Sequence, residues 1–263
     1  MQVTRLFIHP VKSLGGIAVP RFAIDRFGPR WDRRWLVVDP QGRFLTQRQY
    51  ARMAQITAGL EGDQITLRAD GHAEARFGAA DFGEGVIEVE VWRDRCQASR
   101  GPAWLDAWIS AVLQTPAHLV FMPEDSRRLV DPQFARHQET VSFADGFPLL
   151  LATDASLQAF NTQLQTPVGM ERFRPNLVID GSAPYAEDGW RRIRVGSLEF
   201  IVAKPCSRCA IPTIDPLTAQ KQPEVFKALK ATRSRNGEVF FGQNLIPVGT
   251  GVISVGDPVS VLE

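Results

Sequence analysis

Apolar and β-branched residues fall in short runs along the first third of the chain, each closed by Gly, Pro or Asp. VTRLFIHPV (3–11), RRWLVVD (33–39), QITAGLEGDQITLRAD (55–70) and GVIEVEVW (85–92) are such runs, and their Val, Ile and aromatic content predicts strands. EGDQ (61–64) divides two alternating halves and predicts a hairpin. Strands this short and closely spaced predict a barrel or sandwich rather than βαβ units.

The period then changes. In GPAWLDAWISAVL (101–113) the apolar residues Trp104, Leu105, Trp108, Ile109, Val112 and Leu113 recur at helical spacing, so a helix is expected with both tryptophans packed in the core. Residues 116–143 are more polar, and PEDSRRLVDPQFARHQ reads as a linker or surface excursion at a domain boundary. A second helix is expected over TDASLQAFNTQL (153–164), capped by Thr153 or Asp154. NLVIDG, RRIRVGSLEFIVAKP, EVFFGQNLIPV and GVISVGDPVSVLE return to strand patterning. PEVFKALKAT (223–232) predicts a short helix with Pro223 in its first turn, where a missing N–H costs nothing.

Composition narrows the function classes. The 263 residues carry a formal net charge of +1, so no overall field draws the protein to nucleic acid or an anionic membrane, and neither is expected as a partner. No apolar stretch approaches the length of a membrane helix, and the N-terminus shows no targeting pattern. The 25 Arg against 5 Lys reflect either codon usage or a demand for forked recognition of oxyanions. Three cysteines suit a reducing cytoplasm better than a disulfide framework.

Two of those cysteines stand in AKPCSRCAIPTIDP (203–216), as Cys206 and Cys209. A zinc site would need further ligands, but Cys96 is isolated and His9, His72, His118 and His137 lack ligand spacing. A redox dithiol normally precedes a helix, and Pro212 and Pro216 oppose one here. A single thiolate serving as a soft ligand to a redox metal remains, with Arg208 beside it favouring ionisation. So does the plain reading of two small buried residues.

Seven stretches in order carry a resemblance: HPVKSLGG, RRWLVVD with TQRQ, FADGFP, RFRPNLVI, AEDGW, KPCSRCAIPTIDP, and FGQN with VGDPV. Over nearly its whole length the chain resembles the MOSC-domain molybdoenzymes, among them the mitochondrial amidoxime reducing components and bacterial reductases of N-hydroxylated bases. That resemblance implies a mainly β fold with some α, an N-terminal β-barrel domain at 1–120 and a MOSC β-barrel domain with a few helices at 121–263. It implies a molybdenum cofactor (molybdenum–molybdopterin) whose metal is ligated by Cys209. Lys12, Ser13, Arg33, Arg48, Arg174, Asn176, Ser207 and Arg208 would contact the cofactor, and Asp145 would join Cys209 as a catalytic residue. Eukaryotic members carry hydroxyl residues just after that Asp, where this chain has Gly146 and Phe147, so substrate preference is expected to differ.

The implied activity is the two-electron reduction of N–OH to N–H in a small substrate, a detoxification chemistry. No Cys₄ set for an iron–sulfur cluster is present, so a separate ferredoxin or flavoprotein reductase is the expected electron donor. Two alternatives stay open: a carrier of the molybdenum cofactor or its sulfur without turnover, and a thiol-redox protein using Cys206 and Cys209 as a dithiol.

Overall fold

Two long strands organise the larger part of the molecule. In the computed structural model, which describes residues 1–83, 85–135 and 137–263, Leu198–Ser207 and Glu238–Val248 pair antiparallel. They lie near the middle of a nine-stranded sheet. Its order runs Val259–Val261, Arg192–Val195, Leu198–Ser207, Glu238–Val248, Leu149–Thr153, Leu177–Asp180, Gln2–Ile8 and Ile17–Val19, with Ser234–Arg235 also on Glu238–Val248. The chain is mostly β, as its hydrophobic pattern predicts, with α-helices Ala103–Leu113, Asp154–Asn161 and Pro223–Arg233.

The first strand crosses the molecule to reach this sheet. Val3, Leu6 and Ile8 of Gln2–Ile8 are buried and share a core with Leu177, Ile179, Phe200 and Leu245. VTRLFIHPV is therefore a strand, as expected, and it pairs antiparallel with the next strand, Ile17–Val19, on one side and with the distant Leu177–Asp180 on the other. Burial of its inward residues sets the register of that long-range pairing.

A second core lies in the N-terminal part. Trp35 is fully buried, with Phe77, Phe82 and Phe121 at centroid distances of 5.7, 6.3 and 5.2 Å. Around it stand a four-stranded sheet (Trp35–Val38, His118–Phe121, Asp94–Arg100, Val86–Val91) and a three-stranded one (Thr57–Glu61, Gln64–Arg68, Ala75–Gly78). Glu61 pairs with Gln64 across the expected hairpin, with Gly62 at φ +59° in its first loop position.

Helix Ala103–Leu113 closes that core with Leu105, Ile109, Val112 and Leu113. Trp104 is not part of it: one position off the buried face, it is half exposed. Trp108 packs partly against the core and donates its indole N–H to the Ala73 carbonyl at 2.6 Å. Helix Asp154–Asn161 is capped as expected, the Thr153 hydroxyl accepting the Ser156 N–H at 3.1 Å.

The polar stretch 116–143 is not a loose linker. It contributes the strand His118–Phe121 and buries Ser126, Arg128, Val130, Val141 and Ser142. The Arg128 guanidinium is the cause. It pairs with Asp94 at 2.8 Å and donates to the carbonyls of Ser142 (2.7 Å) and Ala144 (2.5 Å), drawing the segment inward.

Next to the cysteine pair the central strands are irregular. The register shifts between Val202 and Lys204, and again between Pro205 and Ser207. Gly242 serves the second shift at φ +78°, and a Cβ there would fall 2.5 Å from the Leu151 carbonyl oxygen. Gly242→Ala should therefore cost about 2 kcal/mol or more in strain and contact, read from the urea midpoint. An unchanged midpoint would show that this close approach is not needed.

Candidate functional site

Arg33 gathers the site. Its backbone N–H donates to the His9 carbonyl at 2.8 Å, and its own carbonyl accepts the Phe143 N–H at 2.9 Å. Its guanidinium reaches Asp32 at 2.6 Å, Asn176 Oδ1 at 3.1 Å and the Arg174 carbonyl at 3.0 Å. Four stretches distant in sequence thus meet at one residue. Ser13, Arg33 and Arg174 all hold left-handed backbones, at φ +68°, +49° and +55°, a conformation non-glycine residues adopt when surrounding structure enforces it.

Asn176 locks the sheet beneath. Its backbone pairs with Leu150 and Phe7, its Oδ1 accepts the Leu150 N–H at 3.1 Å, and its Nδ2 donates to the Phe7 carbonyl at 3.2 Å. Phe173 stacks on Phe241 at 3.9 Å and forms floor. Arg208 lies over the Phe173 ring and donates to its carbonyl at 2.9 Å.

Above this base is an inner pocket of about 110 Å³ opening into a cleft of about 1060 Å³. Each of the ten sequence-predicted residues lines the inner pocket: Lys12, Ser13, Arg33, Arg48, Asp145, Arg174, Asn176, Ser207, Arg208 and Cys209. They do not stand alike. The Asn176 amide is committed to Arg33 and to backbone partners, while Arg48 sits at the mouth, 4.4 Å over the Trp92 ring. Arg208 donates to Cys206 Sγ at 3.2 Å, so the guanidinium expected beside a thiolate engages Cys206. All three cysteines are free. A 3₁₀ turn, Ile211–Thr213, follows the pair.

Charge in the pocket is one-sided. Lys12 Nζ donates to Asp145 Oδ1 at 2.5 Å, and the Trp92 indole N–H reaches the same oxygen at 3.0 Å. Burial favours the neutral acid at Asp145, but Lys12, Trp92 and then Arg33 outweigh it and hold the carboxyl below the usual range. Its side chain is 73% accessible, so cleft water shares in stabilising the charge. Burial pushes the Lys12 ammonium down to about 8, against the pull of Asp145. Burial and then Arg33 press the Arg174 guanidinium downward too. His9, buried behind and facing Arg33 and Arg174, is held neutral by the same forces in the same order.

Two guanidinium nitrogens here, Arg174 Nη2 and Arg208 Nε, are buried without a hydrogen-bond partner among the described residues. Unmet donors on cations call for an anionic or carbonyl-rich guest. Among the described residues no group of three His, Cys, Asp or Glu could hold a metal ion, so a metal bound at Cys209 would bring its other ligands with it. A cofactor that presents its own sulfur and oxygen ligands and a phosphate fits this donor set.

Three contributors were not anticipated from sequence. Trp92 bonds Asp145, Arg128 holds the loop carrying it, and Lys204 projects into the cleft. Trp92 sits at a strand end with φ +60°, and a strand-terminal aromatic gives no sign of which groups it will meet. An arginine within a polar run gives no sign of burial.

Barrel-like β units around a cationic, thiol-bearing pocket define the class of protein by its fold and site. The chain belongs to the MOSC family: residues 1–116 match the MOSC N-terminal beta barrel domain and residues 138–260 the MOSC domain. Mitochondrial amidoxime-reducing component 1 of Homo sapiens is 31% identical over 99% of this chain and 82% of its own length. The Danio rerio protein of the same name is 29% identical over 98% and 83%. The molybdenum cofactor sulfurase of Homo sapiens is 29% identical over 93% of this chain, which spans 30% of that protein.

Lys12 supplies a pH test. Its folded value of about 8 lies below that of an unfolded lysine, so between these values the unfolded chain holds a proton the folded chain has released. Wild-type stability relative to Lys12→Met should therefore rise as pH climbs from about 8 to about 10, read as the gap between urea midpoints. A flat gap across that window would show that Lys12 is not desolvated.

Proposed function

We propose that the protein is a molybdenum-cofactor-dependent reductase of N-hydroxylated compounds, drawing electrons from a separate ferredoxin or flavoprotein reductase. The observation that carries this is the convergence of ten residues from distant stretches on one pocket with a half-buried thiol and unpartnered guanidinium donors. The named activity of the amidoxime-reducing relatives supports it, since an amidoxime is an N-hydroxylated amidine. The balanced reaction is R–C(NH₂)=N–OH + 2 e⁻ + 2 H⁺ → R–C(NH₂)=NH + H₂O. Three free thiols suit a reducing cytoplasm as its setting.

When bound, the cofactor supplies the two-electron chemistry at an oxygen-accepting metal. Cys209 Sγ would be the protein's ligand to that metal. Arg174 and Arg208, with unpartnered guanidinium nitrogens, would present cationic donors to the cofactor's phosphate and heterocycle, with Ser13 and Ser207 beside them. Arg33, its fork engaged by Asp32, Asn176 and the Arg174 carbonyl, would contribute charge and hold Arg174 in place. Asn176 orients Arg33 and keeps the floor strands in register. At neutral pH Lys12 Nζ holds a proton 2.5 Å from the ionised Asp145, and its lowered value makes it a better proton donor than an ordinary lysine. Asp145 remains a carboxylate and acts as an acceptor and orienting group. Trp92 and Lys12 share one of its oxygens, Oδ1.

A carrier role without turnover draws on a different observation, the similarity to a molybdenum cofactor sulfurase. Turnover separates the two. Protein from a cofactor-competent host should contain near-stoichiometric molybdenum and pterin and should reduce benzamidoxime with a chemical reductant. Cys209→Ser should lose molybdenum and activity, while Cys206→Ser should keep the metal. Bound cofactor without reduction of any amidoxime would favour the carrier. Absence of both metal and pterin, with equal loss of thiol-redox activity in either serine variant, would favour the dithiol.

A further inference from the structure

The outer cleft holds charge that the chemistry at Cys209 leaves unused. Along Leu198–Ser207 the alternation places Val202 toward the core, and the register shift after it then sets Lys204 opposite Asn244. The extra residue reverses the faces. Lys204 leaves the core side and opens with Asn244 onto the cleft. Its ammonium lies 5.1 Å from the Phe134 ring centroid and 5.4 Å from that of Phe147, and the two rings meet edge to face at 5.6 Å. Aromatic faces hold a cation in position without neutralising it.

Lys204 has no ion-pair partner among the described residues, and neither do Arg127 and Lys230, which line the same cleft. Of the four acids there, Asp94 is tied to Arg128 at 2.8 Å and Asp145 to Lys12 at 2.5 Å. Asp131 and Glu238 are left, and Asp131 already accepts the Gln133 N–H at 3.0 Å. The wall is therefore net cationic. It is also continuous with the reactive pocket, because Asp145, Phe147 and Cys209 line both spaces.

We propose that this wall is a subsite for an anionic group, a carboxylate or a phosphate, carried by the substrate whose N–OH enters the inner pocket. Lys204 is its principal contact, and Arg127 and Lys230 lie within the same field. The ring of Phe147, which lines both spaces, flanks a planar substrate body, and Phe134 packs edge to face against it. The proposal rests on the reductase reading for the identity of the substrate, and on the cleft alone for the anion. Cations set inside a concave space of about 1060 Å³ suit a small molecule better than a protein face, which meets flatter surfaces.

The test compares benzamidoxime with its para-carboxy and para-phosphonate derivatives on the cofactor-loaded protein. Affinity is measured by titration calorimetry, and reduction separately with a chemical reductant. The anionic compounds should bind about tenfold tighter than the neutral one, the size of a charge-assisted contact. That ratio should fall below about threefold in Lys204→Met, drop part-way in Arg127→Gln and shrink as salt is raised. The better of the two anions names the group. A ratio of one in the wild type, or a ratio untouched by both substitutions, overturns the subsite. So does an effect of Lys204→Met confined to saturation by an electron-donor protein, which would make the wall a docking face. Selective binding without reduction of any of the three compounds would sustain the subsite while removing the reductase reading.

Discussion

A buried ion pair holds the site together. Asp32 is almost wholly excluded from water, with one oxygen on Arg33 at 2.6 Å and the other on the His9 N–H at 2.7 Å. A buried charge pair stabilises a fold only when its remaining hydrogen-bonding capacity is met. Here that capacity is met by atoms of the site itself: Asn176 Oδ1 and the Arg174 carbonyl take the outer guanidinium nitrogens. Satisfying the pair and bringing the pocket walls together are thus one event. The left-handed backbones of Ser13, Arg33 and Arg174 follow from it, since each must turn sharply where the stretches meet.

The arginine excess has a use beyond binding. Arg34 donates to the Met122 carbonyl and Glu124, Arg172 to Asp215, Gln222 and the Pro212 carbonyl, and Arg233 to Asp188 and the Phe240 carbonyl. With Arg128 these are buried clamps on irregular backbone. A planar fork with five donors can serve two carbonyls and a carboxylate together, which a lysine ammonium on a flexible stem does poorly. Short strands joined by long loops leave many carbonyls outside any ladder, and forked donors inside the core meet that need.

The strands, the three helices and the convergence of motif residues were legible in the sequence because each rests on local pattern or on several motifs in order. Thr153 shows its capping role through residue type and position. Where one local feature had to stand for a tertiary fact, reading was weaker. Trp104 and Trp108 look equivalent at helical spacing, yet only one meets the core, because the buried face is centred on Leu105 and Ile109. The polar run around Arg128 reads as exposed since polarity does not reveal which guanidinium will find buried carbonyls. Lys204 is misaimed by simple alternation, because one extra residue in a strand reverses every inference from period two. Asn176 was found as a pocket residue, but its commitment to the sheet depends on Phe7, 169 positions away.

That last separation bears on how the protein is made. The pocket floor needs the first strand, Gln2–Ile8, seated against Leu177–Asp180, so no ribosome-bound fragment lacking the later strands can own a finished pocket. Any guest must find that long-range pairing already made, and its binding energy then adds to the closed state alone. Binding thereby doubles as an inspection of the fold: a chain in which these two strands have failed to meet offers no cradle to a guest.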